Sequence, residues 1–364
     1  MQDVVELTKR LIEFPSVTPE QAGCLDFIEK MLKAEGFSVE RMKFAEVDNL
    51  YAKRGSGKNF CFAGHIDVVP PGDVGKWTSD PFKPEIRNGI LYGRGTSDMK
   101  AAIACMIAAA IDYKGQGAVS LLFTADEEGP GVNGTLKVLE VLDKRSEKID
   151  ACVVGEPTSV NKTGDMAKIG RRGSMNCKIT VNGKQGHAAY PHLADNPVKK
   201  LINILHKLQN HKLDAGNKYF QPSNLEVVTF DVGNPATNVI PAKASATFNI
   251  RFNDEHNSEA LKKWIASETG DAELSFHVSG ESFITKPGKL SEIVKESVKE
   301  ITGIEPELST TGGTSDARFI SKYSEVVEFG LRNATAHQVD EHVEAADITK
   351  LGQVYAVMLK KFFA

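Results

Sequence analysis

Two histidines and a set of carboxylates have the side-chain types needed to bind metal ions, and most of them stand at the end of a predicted strand or the start of a predicted helix. The set is His65, Asp67, Asp98, Glu127, Glu128, Glu156 and His337. Neutral imidazoles and ionised carboxylates form a mixed nitrogen and oxygen ligand set that suits a pair of zinc-like ions. The set therefore predicts metal-assisted hydrolysis.

Each candidate also has an ordinary structural interpretation. Asp98 precedes an apolar stretch and could cap a helix, a role that is compatible with metal binding because a carboxylate has two oxygens. Glu127 and Glu128 could form a solvated turn, and their spacing does not decide which one binds a metal and which one reaches water. The motif His65-Ile-Asp-Val-Val-Pro70 ends an apolar run, and this favours a functional His65 over a core histidine.

The elements that must position these residues follow an alternating pattern up to about residue 168. Helices are predicted near 3–13, 20–35, 98–111 and 134–144, and strands near 37–42, 49–53, 59–64, 118–124 and 150–154. This alternation predicts an α/β fold with a mixed, mostly parallel sheet and helices on both of its faces. Such folds place their chemistry at the carboxyl ends of the strands.

The pattern changes between about residues 173 and 282. Strands near 174–181, 224–232, 243–252 and 272–279 and helices near 195–210 and 257–268 give the order β-α-β-β-α-β of a ferredoxin-like domain. Helical stretches near 288–302 and 345–362 then resume the first pattern, and His337 lies between them. We therefore expect a catalytic domain of residues 1–172 plus 283–364, with 173–282 inserted as a lid or dimerisation domain.

Composition excludes some broad classes of function. The net charge is −4, and without a basic arm or stripe the chain lacks the lysine and arginine excess that nucleic-acid binding needs. Apolar runs fall short of the roughly 20 residues of a membrane span. The N-terminus has no signal-peptide pattern, and the five cysteines are an odd number without a CxxC pair. These features predict a cytoplasmic protein with reduced thiols.

Four motifs around the candidate ligands resemble the zinc aminoacylase/carboxypeptidase family of co-catalytic metallopeptidases. They are Gly64-His65-Ile-Asp67-Val-Val-Pro70, Gly93-Arg-Gly-Thr-Ser-Asp98-Met-Lys100, Asp126-Glu127-Glu128 and Gly155-Glu156-Pro157. Further motifs are similar to one member of that family. They are Gly170-Arg-Arg-Gly-Ser174, Gln185-Gly-His187-Ala-Ala-Tyr190-Pro, Thr310-Thr-Gly-Gly-Thr-Ser-Asp316-Ala-Arg-Phe and Asn333-Ala-Thr-Ala-His337. The resemblance covers nearly the whole chain.

The resemblance implies a role for each candidate ligand. His65 and Glu156 would bind opposite ions, Asp98 would bridge both, and Glu128 and His337 would complete the two shells. Glu127 would be the general base, and the Asp67 side chain would hydrogen-bond the second nitrogen of His65. The ions would be two divalent metals per subunit, with zinc first and cobalt or manganese as alternatives.

The resemblance also implies a small anionic substrate, N-succinyl-LL-2,6-diaminopimelate, which would be cleaved to succinate and LL-2,6-diaminopimelate. Three carboxylates on this molecule require cations, for which Arg171 and Arg251 are the candidates, with Lys168 nearby in sequence. The other expected substrate contacts are Ser174, Tyr190, Asn238, Gly313, Thr314 and Asn333. His187 would reach the neighbouring subunit's site in a homodimer and stabilise the oxyanion.

Two other functions remain open from the sequence. One is a related amidohydrolase, such as an acetylornithine deacetylase or a dipeptidase, with the same metals and another acyl pocket. The other is a non-catalytic metal-binding scaffold. The presence of Glu127 and His187 disfavours the scaffold, and the pair Arg171 and Arg251 favours the succinyl substrate over an acetyl one.

Overall fold

The structure is a computed structural model that describes residues 3–364. The chain folds into two compact units. The first unit comprises the chain up to Ile169 together with Thr285–Ser309 and Ser315–Ala364. The second unit comprises Gly170–Ile284 and Thr310–Thr314.

The elements up to residue 169 alternate between helices and strands. They are α1 (Val4–Ile12), α2 (Cys24–Ala34), β1 (Ser38–Phe44), β2 (Val47–Gly55), β3 (Asn59–His65), β4 (Glu85–Arg87), β5 (Ile90–Tyr92), α3 (Lys100–Asp112), β6 (Ala118–Thr124), α4 (Thr135–Lys144), β7 (Ala151–Val154) and β8 (Met166–Lys168). A short 3₁₀ helix covers Val74–Lys76.

The remaining elements complete both units. They are β9 (Gly170–Arg171), β10 (Gly173–Asn182), β11 (Gly186–His187), α5 (Pro197–Asn210), β12 (Asn224–Asp231), β13 (Val239–Ile240), β14 (Lys243–Phe252), α6 (Ser258–Thr269), β15 (Glu273–Gly280), β16 (Phe283–Ile284), α7 (Lys289–Thr302), β17 (Glu307–Ser309), α8 (Ala317–Ile320), β18 (Glu325–Glu328), β19 (His342–Glu344) and α9 (Ala345–Phe363). A second 3₁₀ helix covers Pro191–Leu193. Within residues 3–364, no helix is long and apolar enough to cross a membrane.

The first unit is built on an eight-stranded sheet with the order β1-β2-β6-β3-β7-β18-β8-β17. The pairs β6/β3, β3/β7, β7/β18 and β8/β17 are parallel. The pairs β1/β2, β2/β6 and β18/β8 are antiparallel. Every residue of β3 and β6 is buried, as in the middle of a parallel sheet covered by other layers. The predicted mixed α/β fold is confirmed.

Helix α3 is apolar almost all round and is therefore buried, since no face of it can be exposed to water without cost. It packs against α1, α9 and the central strands β3 and β6. The sequence predicts Asp98 at or near the N-cap of this helix, and it lies one residue before the N-cap. The N-cap is Met99, and the Asp98 carboxylate is instead directed at two histidine rings, His65 and His337.

The second unit is a four-stranded antiparallel sheet with the order β12-β14-β10-β15. The main elements follow the order β10-α5-β12-β14-α6-β15, with the short β11 and β13 forming a separate pair. Strand β14 alternates between buried and partly exposed residues, as expected where one face of a sheet packs on a core. That core includes Ile179, Leu201, Phe248 and Ile265.

Candidate metal centre

Three neighbouring parallel strands bring candidate ligands to one edge of the first unit's sheet. His65 is the last residue of β3. Glu127 and Glu128 follow the end of β6 at Thr124, and Glu156 follows the end of β7 at Val154. Because β3 lies between β6 and β7 and all three run in the same direction, these side chains meet at the carboxyl edge.

Asp98 presents one carboxylate oxygen to each candidate histidine. His65 Nε2 lies 3.1 Å from Asp98 Oδ1, and His337 Nε2 lies 3.3 Å from Asp98 Oδ2. His337 therefore lies beside side chains that precede residue 160 in the chain. This arrangement suits a carboxylate that is shared by two cations.

The remaining carboxylates divide between the two histidines. Glu156 Oε1 lies 3.8 Å from His65 Nε2, whereas Glu128 Oε1 lies 2.7 Å from His337 Nε2. The prediction that His65 and Glu156 serve opposite ions thus disagrees with the geometry, which groups them. The reason is that β3 and β7 are adjacent strands, so the residues at their carboxyl ends are neighbours.

The charges in this cluster shift the pKa values of both histidines and of Asp98. Burial acts to raise the pKa of Asp98, but hydrogen bonds from His337 and His65 outweigh it and hold the pKa below its ordinary value. The pKa of His337 rises to about 10 because Asp98 and Glu128 accept hydrogen bonds from its ring. Burial disfavours protonation of His65, yet Asp98, Glu127 and Glu156 raise its pKa well above the usual range. A field that holds protons this tightly also favours divalent cations.

The donor set fits such ions. Glu156 Oε1 is buried and has no hydrogen-bond partner among the described residues. An unsatisfied buried carboxylate oxygen is costly, and a bound cation would remove that cost. His65, Asp98 and Glu128 can each place one ligand atom within 4.8 Å of the others. His65, Glu127 and Glu156 form a second group of this kind.

Glu127 is therefore a possible ligand by distance alone. Its Oε2 lies 4.0 Å from His65 Nε2, farther than the nearest oxygens of Asp98 and Glu156. Burial raises the pKa of Glu127 to about 8, although His65 opposes this rise. A carboxyl group with a pKa near neutrality can both accept and return a proton.

Asp67 lies behind His65, but its contacts differ from the predicted ones. The backbone carbonyl of Asp67, not its carboxylate, is within hydrogen-bond distance of His65 Nδ1, at 2.9 Å. The nearest carboxylate oxygen is 3.7 Å from Nδ1, and the other accepts the Glu128 N–H at 3.1 Å. The carbonyl can only accept, so it places the proton on Nδ1 and leaves Nε2 free to bind a metal. Burial raises the pKa of Asp67 to about 6.

In the second unit, the β11/β13 pair brings three of the predicted residues together. His187 pairs with Val239, and the Ala188 N–H donates to the carbonyl of Asn238 at 2.9 Å. The ring of Tyr190 contacts the His187 ring edge to face at a centroid distance of 5.5 Å. His187 is exposed, and its Nδ1 accepts the Ala189 N–H at 3.0 Å. The proton of the neutral ring is therefore on Nε2, where it can be donated.

The two candidate arginines also lie in this unit. Arg251 is directly opposite Ser174 in the β10/β14 ladder, and its Nε donates to Asn249 Oδ1 at 3.1 Å. Arg171 is buried and donates from Nη1 to the carbonyl of Thr311 at 3.2 Å. This contact places Arg171 beside the segment that contains Gly313 and Thr314.

Lys168 and Asn333 lie in the first unit. Lys168 is buried in β8, with its Nζ 3.4 Å from Ser309 Oγ. Asn333 is exposed, and its backbone N–H donates to the carbonyl of Ser159 at 3.1 Å.

Sequence reasoning missed two buried charged residues beside the ligands, Arg94 and Glu341. Their side chains form an ion pair of 2.7 Å, and both are almost completely buried. Each lies in a polar segment, where a charged residue ordinarily faces water. Their separation of 247 positions leaves no local signal that they meet.

Relatives of known name align with this chain over its full length. A protein named succinyl-diaminopimelate desuccinylase from Parvibaculum lavamentivorans is 54% identical over 379 residues, which cover 100% of this chain and 96% of that protein. One with the same name from Caulobacter vibrioides is 52% identical over 372 residues, again covering 100% of this chain and 96% of the relative.

Solved structures show the same fold at low identity. An M20 family metallo-carboxypeptidase from Sulfolobus solfataricus has a TM-score of 0.80 at 17% identity, covering 100% of this chain and 99% of its own. Aminopeptidase PepT from Bacillus cereus has a TM-score of 0.82 at 19% identity, with the same coverage. A family model described as peptidase family M20/M25/M40 matches residues 61–361. The chain belongs to peptidase family M20/M25/M40.

Proposed function

We propose that this protein is a metal-dependent amidohydrolase that cleaves N-succinyl-LL-2,6-diaminopimelate into succinate and LL-2,6-diaminopimelate, a step in diaminopimelate and lysine biosynthesis. The observation that carries the substrate is the identity of 54% to a protein named succinyl-diaminopimelate desuccinylase, over the whole of this chain. The convergence of His65 and His337 on Asp98 independently supports a metal-dependent hydrolase.

The ligand distances support two cation sites that share Asp98. In this proposal His65 and Glu156 complete the first site, and His337 and Glu128 complete the second. The nitrogen and oxygen donors suit zinc best, with cobalt or manganese as alternatives. When bound, the two ions polarise the scissile carbonyl and lower the pKa of water in the site.

Glu127 is the proposed general base. Its Oε2 lies 4.0 Å from His65 Nε2, beyond hydrogen-bond distance, whereas Glu128 Oε1 lies 2.7 Å from His337 Nε2. It would take a proton from the attacking water and pass it to the leaving amine nitrogen, so that the C–N bond breaks and a carboxylate and a free amine leave. Asp67 would orient His65 through its carbonyl and Glu128 through its carboxylate.

Residues 173–282 are proposed to be an inserted lid and dimerisation domain, with 1–172 plus 283–364 as the catalytic domain. Strand β12 is an edge strand of the four-stranded sheet, and it exposes Val228 by 58% and Phe230 by 43%. On the neighbouring helix α5, Ile202 is 52% exposed. Apolar side chains beside an open strand edge are typical of a surface that pairs with another chain. We infer a homodimer formed through this surface.

His187 would complete the site of the partner subunit in that dimer. Because its Nδ1 accepts the Ala189 N–H, the neutral ring has its proton on Nε2. A fixed Nε2–H can donate to the oxyanion that forms when water adds to the amide carbon. The exposure of His187 agrees with a role outside its own unit.

The carboxylates of the substrate would bind the guanidinium groups of Arg171 and Arg251, which match a carboxylate with two parallel hydrogen bonds. The remaining proposed contacts are Lys168, Ser174, Tyr190, Asn238, Gly313, Thr314 and Asn333. All five cysteines are free and buried, which favours a reducing compartment such as the cytoplasm.

The test is an assay of zinc-loaded protein on N-succinyl-diaminopimelate, N-acetylornithine and dipeptides at equal concentrations. We expect the highest kcat/KM for the succinyl substrate. A preference for N-acetylornithine or a dipeptide would assign the chain to the related amidohydrolases instead. No turnover of any of them would favour the non-catalytic scaffold.

A further inference from the structure

The carboxylate of Glu341 is completely buried and accepts hydrogen bonds on both oxygens from the segment that carries Asp98. Oε1 accepts the N–H groups of Ser97 at 2.8 Å and Asp98 at 3.0 Å. Oε2 accepts the Gly95 N–H at 3.0 Å and a proton of Arg94 Nη1 at 2.7 Å. These four donors occupy the acceptor sites of both carboxylate oxygens.

Arg94 extends the same contacts to two other ligand-bearing segments. Its Nη1 also donates to the carbonyl of Gln338 at 3.2 Å, next to His337. Its Nη2 lies 3.4 Å from the carbonyl of Pro70, in the loop that follows His65 and Asp67. The guanidinium is 98% buried, with Trp77 beside it at 5.2 Å.

Three segments that supply His65, Asp98 and His337 therefore meet on one buried ion pair. Residues 94–99 and 333–341 lie outside the named strands and helices, so their backbone positions depend in part on contacts of this kind. A buried ion pair by itself is weak support for stability because desolvation offsets its attraction. Here, however, both members direct their hydrogen bonds at the backbone of ligand-bearing loops.

We propose that Arg94 and Glu341 are positioning residues, which act through the backbone to hold the shared carboxylate of Asp98 between the two cation sites. This inference rests on the proposed metal centre. Neither side chain is itself a proposed ligand. The pair instead sets the spacing of the proposed ligands. Residues behind the ligands have the same role in other metal sites.

The test is Glu341→Gln, which keeps the shape of the side chain but turns one oxygen into an N–H₂ group facing two N–H donors. Metal-free protein would be titrated with Co²⁺ and followed by its visible absorption spectrum. We expect the Kd of at least one Co²⁺ to rise by about 10- to 100-fold, the range found when residues behind metal ligands are removed. The spectrum of the fully loaded variant should also change, because the ligand geometry changes.

Asp214→Asn is the matched control. Asp214 is another buried carboxylate that accepts several donors, among them the N–H groups of Gly216 and Ser223, but it lies in the second unit. We expect this variant to lower the Tm equally with and without metal and to leave Co²⁺ affinity unchanged. For Glu341→Gln, the Tm increase produced by metal should shrink, because stabilisation by a ligand falls as its Kd rises.

Wild-type Co²⁺ affinity and spectrum in a folded Glu341→Gln variant would overturn this inference. Failure of the wild-type protein itself to bind two Co²⁺ ions would instead overturn the metal centre on which the proposed function depends. If Glu341→Gln does not fold, Arg94→Lys decides, since it keeps the charge but cannot reach all of the same carbonyls. An unchanged Kd in Arg94→Lys would then refute the proposal.

Discussion

Substitutions at the adjacent residues Glu127 and Glu128 test which of the two is the general base and which is a metal ligand. Glu127→Gln alters a carboxylate whose Oε2 lies 4.0 Å from His65 Nε2, beyond hydrogen-bond distance, whereas Glu128→Gln disrupts a 2.7 Å contact with His337 Nε2. We therefore expect Glu127→Gln to retain both ions and Glu128→Gln to lose occupancy at one of them. The two substitutions are matched in size and charge and differ by one position.

The two substitutions are expected to lower activity in different ways. Loss of a general base typically lowers kcat by about 10²- to 10⁴-fold, or roughly 2.7 to 5.4 kcal/mol of transition-state stabilisation. Because the Glu127 carboxylate is not a proposed ligand, this fall should occur at unchanged metal content and nearly unchanged KM. For Glu128→Gln, added metal should restore part of the activity, because weakened binding is overcome by mass action.

Metal content would be measured by inductively coupled plasma mass spectrometry, and turnover by following release of the free amine. If Glu127→Gln lost metal while Glu128→Gln kept it, the two roles would be reversed. Wild-type turnover in Glu127→Gln would refute its role as base altogether.

Three further predictions concern the dimer and the metal-free site. His187→Ala should lower kcat with its metals intact, and mixing it with Glu127→Gln should restore about a quarter of wild-type turnover, since half of the dimers are mixed and each has one complete site; no recovery would exclude a shared site. Phe230→Glu and Val228→Glu should each shift the dimer to monomer in sedimentation experiments, because a charge at an apolar contact loses its hydration. An unchanged molecular mass would exclude this surface. After chelation, stability should fall as pH rises from about 6 to 8, because folding raises the pKa of Glu127 to about 8 and that of His337 to about 10, so these two groups bind more protons in the folded state over this range. Thermal unfolding of metal-free and zinc-loaded protein tests this, and a flat metal-free profile would contradict it.

The sequence by itself predicted the longer helices and strands and the side-chain types of the candidate ligands. Strand β6 has the predicted bounds of 118 and 124, and strand β14 those of 243 and 252. Hydrophobic periodicity is a local property, so it is readable without knowing which strands pair. The imidazole and carboxylate types at the strand ends likewise indicated metal-assisted hydrolysis before any distance was known.

Only the tertiary structure decided which of these groups face one another. The order β6-β3-β7 places Glu156 beside His65, although the resemblance assigned them to opposite ions. The contact of His65 with the Asp67 carbonyl depends on how the chain turns after β3, which residue types do not specify. Arg94 and Glu341 are 247 positions apart in the sequence, and only the folding of the chain between them brings them into contact. Long-range contacts of this kind arise from packing the whole unit, and no local pattern encodes them.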